Sequence, residues 1–395
     1  MMVAALTGCG RTDLPQPCPT AIHAERSERW AVSLPAWRSR GWGLELAGIE
    51  DDAIVAAVRI DPNEPFAPTS PRCDAPPPDE RGLDVVALDR FGEVLWRRWL
   101  VGGHFHEFQV ATDGRGVVYV AQGLGHEAEL RLTRLDADGK IVRQAVFPGW
   151  EHLAKRGLSV AGDGKLLVAL ERARLSVPEL EMMDDGPDRA IVIVLSPELE
   201  VLDAQHVPDG QTKACITSAR WAGTDGFVVS FDTPCSDITP NDFWVSKRST
   251  SGDVHWTVAG SSPVILDAPS DVLVTDADEL RRLDGDSGAT VWAVSPPGSA
   301  IHGALGDALA HVVGGYSSGP DGPVHPWVGS FSADVGASVT FETGHPGNIA
   351  HGLVAQTEAL VFLVHANQTR DVFDIPVEPF IDGAPPGVVV VRRPL

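Results

Sequence analysis

The chain has 395 residues, 43% hydrophobic and 22% charged, with 40 glycines and 31 prolines. That balance supports a packed core and excludes wholesale disorder, and its valine-rich vocabulary favours many short strands joined by turns. A formal net charge of −23 opposes phosphate backbones and anionic surfaces, so no nucleic acid partner is expected.

The chain opens on Met1-Met-Val-Ala-Ala-Leu-Thr-Gly-Cys9, an apolar run ending in small residues before a cysteine. Such a run reads as the end of a secretory segment. Leu6-Thr7-Gly8-Cys9 resembles the bacterial lipobox, whose cysteine is acylated and becomes the mature N-terminus. The resemblance implies residues 1–9 as a signal remnant, lipidation at Cys9 and a tether over 10–26. Gly10 after the cysteine, in that pattern, suits the outer membrane. No other stretch approaches the roughly 20 apolar residues of a membrane helix, so the only membrane contact expected is the anchor. Setting Cys9 aside leaves Cys18, Cys73, Cys215 and Cys235, an even number that suits two disulfides in an oxidising compartment.

From residue 27 onward, pairs of apolar runs joined by short polar turns recur. The second run of each pair begins at Ile54, Val117, Leu166, Phe227, Val272, Leu309 and Leu360, after turns such as Asp113-Gly114-Arg115-Gly116 and Asp163-Gly164. These are hairpin signals. A second signal follows each hairpin: a strand, a tight Asp/Gly turn and a strand opening with tryptophan. Its cleanest copy is Leu280-Arg-Arg-Leu-Asp-Gly-Asp-Ser-Gly-Ala-Thr-Val-Trp292. Asp89-Arg-Phe-Gly92-Glu-Val-Leu-Trp96 and Ser249-Thr-Ser-Gly252-Asp-Val-His-Trp256 are clear copies. Asp136-Ala-Asp-Gly139-Lys-Ile-Val keeps the turn but has Arg143 at the tryptophan position, and the copies opening at Ser196 and Asp334 are weaker. A tryptophan strand, Arg29–Leu34, stands alone near the start, and Gly387–Arg393 stands alone at the end.

Units repeating at a mean spacing near fifty residues indicate an all-β propeller. The expectation is a single domain over 27–395 with seven blades, at 43–100, 105–148, 156–207, 214–260, 262–296, 300–344 and 349–393. The strand 27–34 completes the last blade and leaves no long edge open; the alternative is eight blades. The motif Asp284–Trp292 is similar to the repeat of the PQQ-like, quinoprotein-alcohol-dehydrogenase-like propellers. That resemblance implies that Trp30, Trp96, Trp256 and Trp292 pack between neighbouring blades. It does not bring the quinone: in those enzymes adjacent cysteines form a ring beside it, and no Cys-Cys dipeptide occurs here. No cofactor is expected.

Strand direction separates two faces. Turns between first and second and between third and fourth strands are short. Those between second and third are long in five blades, at Asp61–Arg81, Ala173–Arg189, Thr233–Asp242, Ser317–Pro326 and Ala366–Pro386. Insertions confined to one face of a repeat array mark a binding face. With Gly226 as the left-handed residue of a three-residue loop, Gly223 pairs with Phe227, and counting outward sets Cys215 against Cys235. Cys18–Cys73 follows by elimination.

Histidines recur where inner strands begin, at His106, His152, His302 and His351, and imidazoles so placed could share a metal near the channel mouth. No carboxylate or second histidine accompanies them at fixed spacing, so no metal and no catalytic residue is assigned. The expectation is a monomeric, non-catalytic envelope lipoprotein that binds a protein or glycan through its long-loop face. The alternative is an enzyme, a lyase or hydrolase, working at that mouth.

Overall fold

The computed structural model describes residues 30–34 and 44–395, apart from 50–51, 61–81, 103–104, 125–128, 151, 174–175, 178–181, 184–188, 208–213, 224–225, 234–241, 262, 277, 318–323, 344–349, 357, 366–370, 374 and 380–387. Among these residues there are strands and turns and no α-helix. Among the described residues the strands form antiparallel units of four, and all but the last of these units follow chain order. The first is Leu44–Gly48, Ile54–Ile60, Gly82–Leu88 and Val94–Val101. The second is Phe105–Thr112, Val118–Leu124, Glu129–Leu135 and Ile141–Pro148. The third holds His152–Val160, Leu166–Ala173, Arg189–Leu195 and Val201–His206, and the fourth Cys215–Trp221, Gly226–Thr233, Asp242–Ser249 and Val254–Gly260. A parallel pairing of Arg156 with Ser218 joins these two into one eight-stranded sheet.

The fifth unit is Pro263–Asp267, Val272–Asp276, Glu279–Leu283 and Thr290–Val294, and the sixth Ser299–Leu305, Leu309–Ser317, Val324–Ser332 and Ser338–Thr343. In the seventh, Ala350–Ala355, Ala359–His365 and Val388–Pro394 are followed by Trp30–Leu34, with Trp30 opposite Arg392 and Leu34 opposite Val388.

Burial explains the pattern. Gly82–Leu88 and Val118–Leu124 are buried at every position, as expected of strands covered on both faces, which read as unbroken apolar runs. Cores lie between units: Val55, Ala57 and Val85 of the first pack with Phe108, Val110 and Val120 of the second. First strands touch their successors in turn, and Ala350–Ala355 touches Leu44–Gly48. That last approach is close, since a Cβ on Gly352 would stand 2.8 Å from Cβ of Leu46.

The tryptophan motif locks four of the units to the next. The indole N–H of Trp30 donates to the Arg90 carbonyl, Trp96 to Ala137, Trp256 to Gly285 and Trp292 to Ala333, at 2.7–3.0 Å. Each accepting carbonyl lies in the third turn of the following unit or beside it, where a glycine takes positive φ: Gly92, Gly139, Gly288 and Gly336. The tryptophan positions implied by the family resemblance are therefore inter-unit contacts. One departure from the motif is instructive. Arg143 replaces the tryptophan of the second unit, and the facing turn carries Leu199, buried and at φ 63° where the others have glycine.

Strand starts match the sequence reading within a residue or so, except that the third unit begins at His152 rather than 156. The register of the fourth hairpin does not. Trp221, not Gly223, pairs with Phe227, and the left-handed glycine is Gly223. A register shift between Ile216 and Ser218 displaces the pairing further, so Cys215 stands opposite Asp232 and not Cys235. Counting from the turn fails because the turn is longer than assumed and a bulge leaves no trace in the side-chain pattern. The segment Ala366–Pro386, read as a loop, contains a strand: Ile375–Pro379 pairs in parallel with the outer edge of Trp30–Leu34. Cys9, Cys18, Cys73 and Cys235 lie outside the described residues.

Candidate functional site

The first strands of all seven units begin at one end of the sheets, and the long connections leave from that same end. Ile60 is followed in the sheet by Gly82, Ala173 by Arg189, Thr233 by Asp242, Ser317 by Val324 and His365 by Val388. At the opposite end Leu88 is followed by Val94, Leu135 by Ile141 and Ser249 by Val254. The asymmetry of connection length is thus a property of the strands. Most of the long connections themselves fall outside the described residues.

Between neighbouring first strands, polar side chains are spent on main-chain groups. The Gln109 amide donates to the Ala154 carbonyl at 2.5 Å and accepts from the Leu158 N–H at 2.7 Å. Arg220 donates to the carbonyls of Arg156 and Leu158 at 3.1 and 3.0 Å. Arg156 reaches Ile265 O at 3.3 Å, and Ser218 Oγ accepts from Ile265 N–H at 2.8 Å. The Asp267 carboxylate accepts from Leu305 N–H at 2.7 Å and from Ala268 N–H at 2.9 Å. Burial pushes the Asp267 carboxyl up, against the pull of those two N–H groups and Arg220. This lining is polar, but its hydrogen bonds hold strands together.

One group near the long-connection end is different. Glu107, in the third position of Phe105–Thr112, has a buried Oε2 with no hydrogen-bond partner. Burial lifts its carboxyl to about 7, Glu171 adds to the rise and Lys155 opposes it. A carboxyl so poised can exchange a proton near neutrality. The sequence reading passed over it, although a glutamate inside an inner-strand run was the available signal.

His106, His152, His302 and His351 all lie in first strands, His152 opposite Arg172, His302 opposite Val313 and His351 opposite Leu363. Of the four, only His302 has a described side chain, and it is half-buried. Among the described residues no three His, Cys, Asp or Glu side chains gather as metal ligands.

No protein-family model and no curated protein matches the chain. Solved structures do. A chain in the crystal structure of the mitotic checkpoint complex aligns at a TM-score of 0.53 and 9% identity, over 89% of this chain and 94% of that one. Quinohemoprotein alcohol dehydrogenase from Comamonas testosteroni aligns at 0.50 and 10%, over 92% and 76%. The fold is propeller-like. BamB from Moraxella catarrhalis aligns at 0.45 and 13% identity, over 92% of this chain and 98% of that one. These likenesses extend to the fold alone. The chemistry of this propeller-like chain must be argued from its own residues.

Proposed function

We propose that this chain is a seven-bladed propeller scaffold over residues 27–395, exported and anchored in the outer membrane by acylation of Cys9. It is monomeric and non-catalytic, and it binds a protein or glycan partner through the face from which its long connections emerge. The observation that carries the reading is the asymmetry of connection lengths, which gathers five insertions at one end of otherwise tightly turned sheets. Ring closure is supported by the unbroken succession of first-strand contacts and by Trp30–Leu34 pairing with Val388–Pro394.

The connections are acidic: Asp61, Glu64, Asp74, Asp79 and Glu80 stand in one, Glu179, Glu181, Asp184, Asp185 and Asp188 in another. A partner with a basic face fits them. A bridge from Cys215 to Cys235 would fasten the base of the fourth connection; the disulfide-bonded state of Cys215 supports it. Cys18 and Cys73 form the second bridge of this reading.

The test is photo-crosslinking from Pro71 and from Leu180 in cells. One stoichiometric partner recovered from both positions supports the scaffold; none from either overturns it. Acylation abolished in Cys9→Ser tests the anchor separately, and an unacylated wild-type chain overturns that part. A second reading, a lyase or hydrolase at the mouth, is favoured by Glu107 alone. Its test is whether metal bound to purified protein is lost when His302 and His351 are changed together.

A further inference from the structure

The outermost strand of each unit is an edge, and the seven edges differ. In the first, fourth and fifth units a buried tryptophan pins the strand to its neighbour: Trp96, Trp256 and Trp292 are 7–9% exposed. In the third unit Gln205 does this, donating to the Thr250 carbonyl at 2.5 Å. In the seventh, Trp30–Leu34 is covered by Ile375–Pro379. The edge of the second unit has neither device. Arg143 stands where tryptophan would, and none of Ile141–Pro148 is buried. Val142 is 55% exposed, Ile141 41% and Val146 40%.

An eight-residue edge rich in β-branched side chains presents a row of unpaired N–H and C=O groups, a template for another strand. The chain itself demonstrates that its blade edges accept one: Ile375–Pro379 adds to the seventh unit with Ala31 opposite Val377 and Val32 opposite Glu378. Charge selects what would add to the second. Lys140 and Arg143 are exposed on this edge, with Arg131 beside Val146 and Arg134 beside Arg143 on the adjacent strand. Carboxylates are already drawn to them, Glu198 to Arg134 at 2.9 Å and Glu200 to Arg143 at 3.6 Å. This is a basic margin on a molecule of net charge −23.

We propose that Ile141–Pro148 is a docking edge for an extended acidic segment of a partner protein, added as a further strand. Alternate apolar side chains of the incoming strand lie against Val142 and Val146, and its carboxylates meet Lys140 and Arg143. A second copy of this chain is the poorer occupant, because two molecules each carrying −23 repel. This interface is separate from the long-connection face and stands or falls without it.

The probe is a short synthetic peptide of alternating valine and glutamate, titrated into the full chain. Its binding should fall on the order of tenfold for the double variant Val142→Lys, Val146→Lys, and as much when a central proline removes a ladder donor from the peptide. Val254→Lys, on a tryptophan-pinned edge, should leave it unchanged. On the unaltered protein the peptide should slow amide exchange within 141–148 and not within 254–260, a readout that needs no variant to fold. Equal binding to the double and single variants, or protection confined to other strands, overturns the proposal. A concentration-dependent dimer that the double variant abolishes, without peptide binding, also overturns it and makes the edge a contact between copies.

Discussion

Trp96 and Gly139 share one space: a Cβ on Gly139 would overlap the Trp96 indole, whose N–H donates to Ala137 two residues before that glycine. Gly139 also sits at φ 71°. Gly139→Ala therefore meets two penalties, a left-handed backbone worth about 1–2 kcal/mol and overpacking worth about 1–3 kcal/mol. Gly114, at φ 72° with nothing within 4 Å of its would-be Cβ, isolates the first. Thermal melts should rank Gly139→Ala well below Gly114→Ala, and equal melting temperatures would mean that the indole yields.

The Arg143–Leu199 pair is the complement. Where the tryptophan is missing, a buried leucine occupies the turn at φ 63° despite the backbone strain. Arg143→Trp alone meets Leu199, and Leu199→Gly alone leaves a void. Together they should rebuild the lock found elsewhere in the chain. The double variant is expected to exceed the sum of the singles by about 1–3 kcal/mol in a denaturation cycle. Additive effects would show that the two positions do not share a space.

Asp84 is buried and holds Arg97 through two hydrogen bonds at 2.7 and 2.6 Å. Asp84→Ala removes both of these hydrogen bonds from a half-buried guanidinium and should cost about 1–3 kcal/mol. Replacing Asp84 and Arg97 together by apolar residues of similar volume should cost much less. Denaturant melts of the two variants beside the unaltered chain decide this.

Glu107 makes a pH prediction. Its carboxyl is raised from 4.5 to about 7, so between those values the folded chain holds a proton that the unfolded chain has released. Stability is thereby lost as pH rises from about 4.5 to 7 and is flat in this contribution beyond. Glu107→Gln should match the wild type in acid and exceed it above neutrality, by about 2–3 kcal/mol at most. A difference independent of pH would place the carboxyl at its ordinary value.

Much of this architecture was legible because the relevant physics is local. Ile54, Leu166, Val272 and Leu309 start their strands where the polar turns said they would, since Asp and Gly satisfy tight turns without outside help. What stayed hidden was non-local or silent in side-chain pattern. The bulge after Ile216 shifts the register by one, which sets Cys215 opposite Asp232. Ile375–Pro379 carries two prolines and reads as loop, and only the edge it covers makes it a strand. Glu107 drew no reading from the sequence; its near-neutral carboxyl comes from burial and from Glu171, which no spacing reveals.

Trp30–Leu34 pairs with Val388–Pro394, so a strand made early waits for one made far later in the chain. Until residues 388–394 are made it lacks its antiparallel neighbour, and its apolar face must be shielded by something else. Completing that sheet is then the slow, high-contact-order step. A nascent chain stopped short of residue 388 would retain six assembled units and one incomplete one. Incomplete synthesis would show at that pairing, where Trp30 would lack Arg392 opposite it.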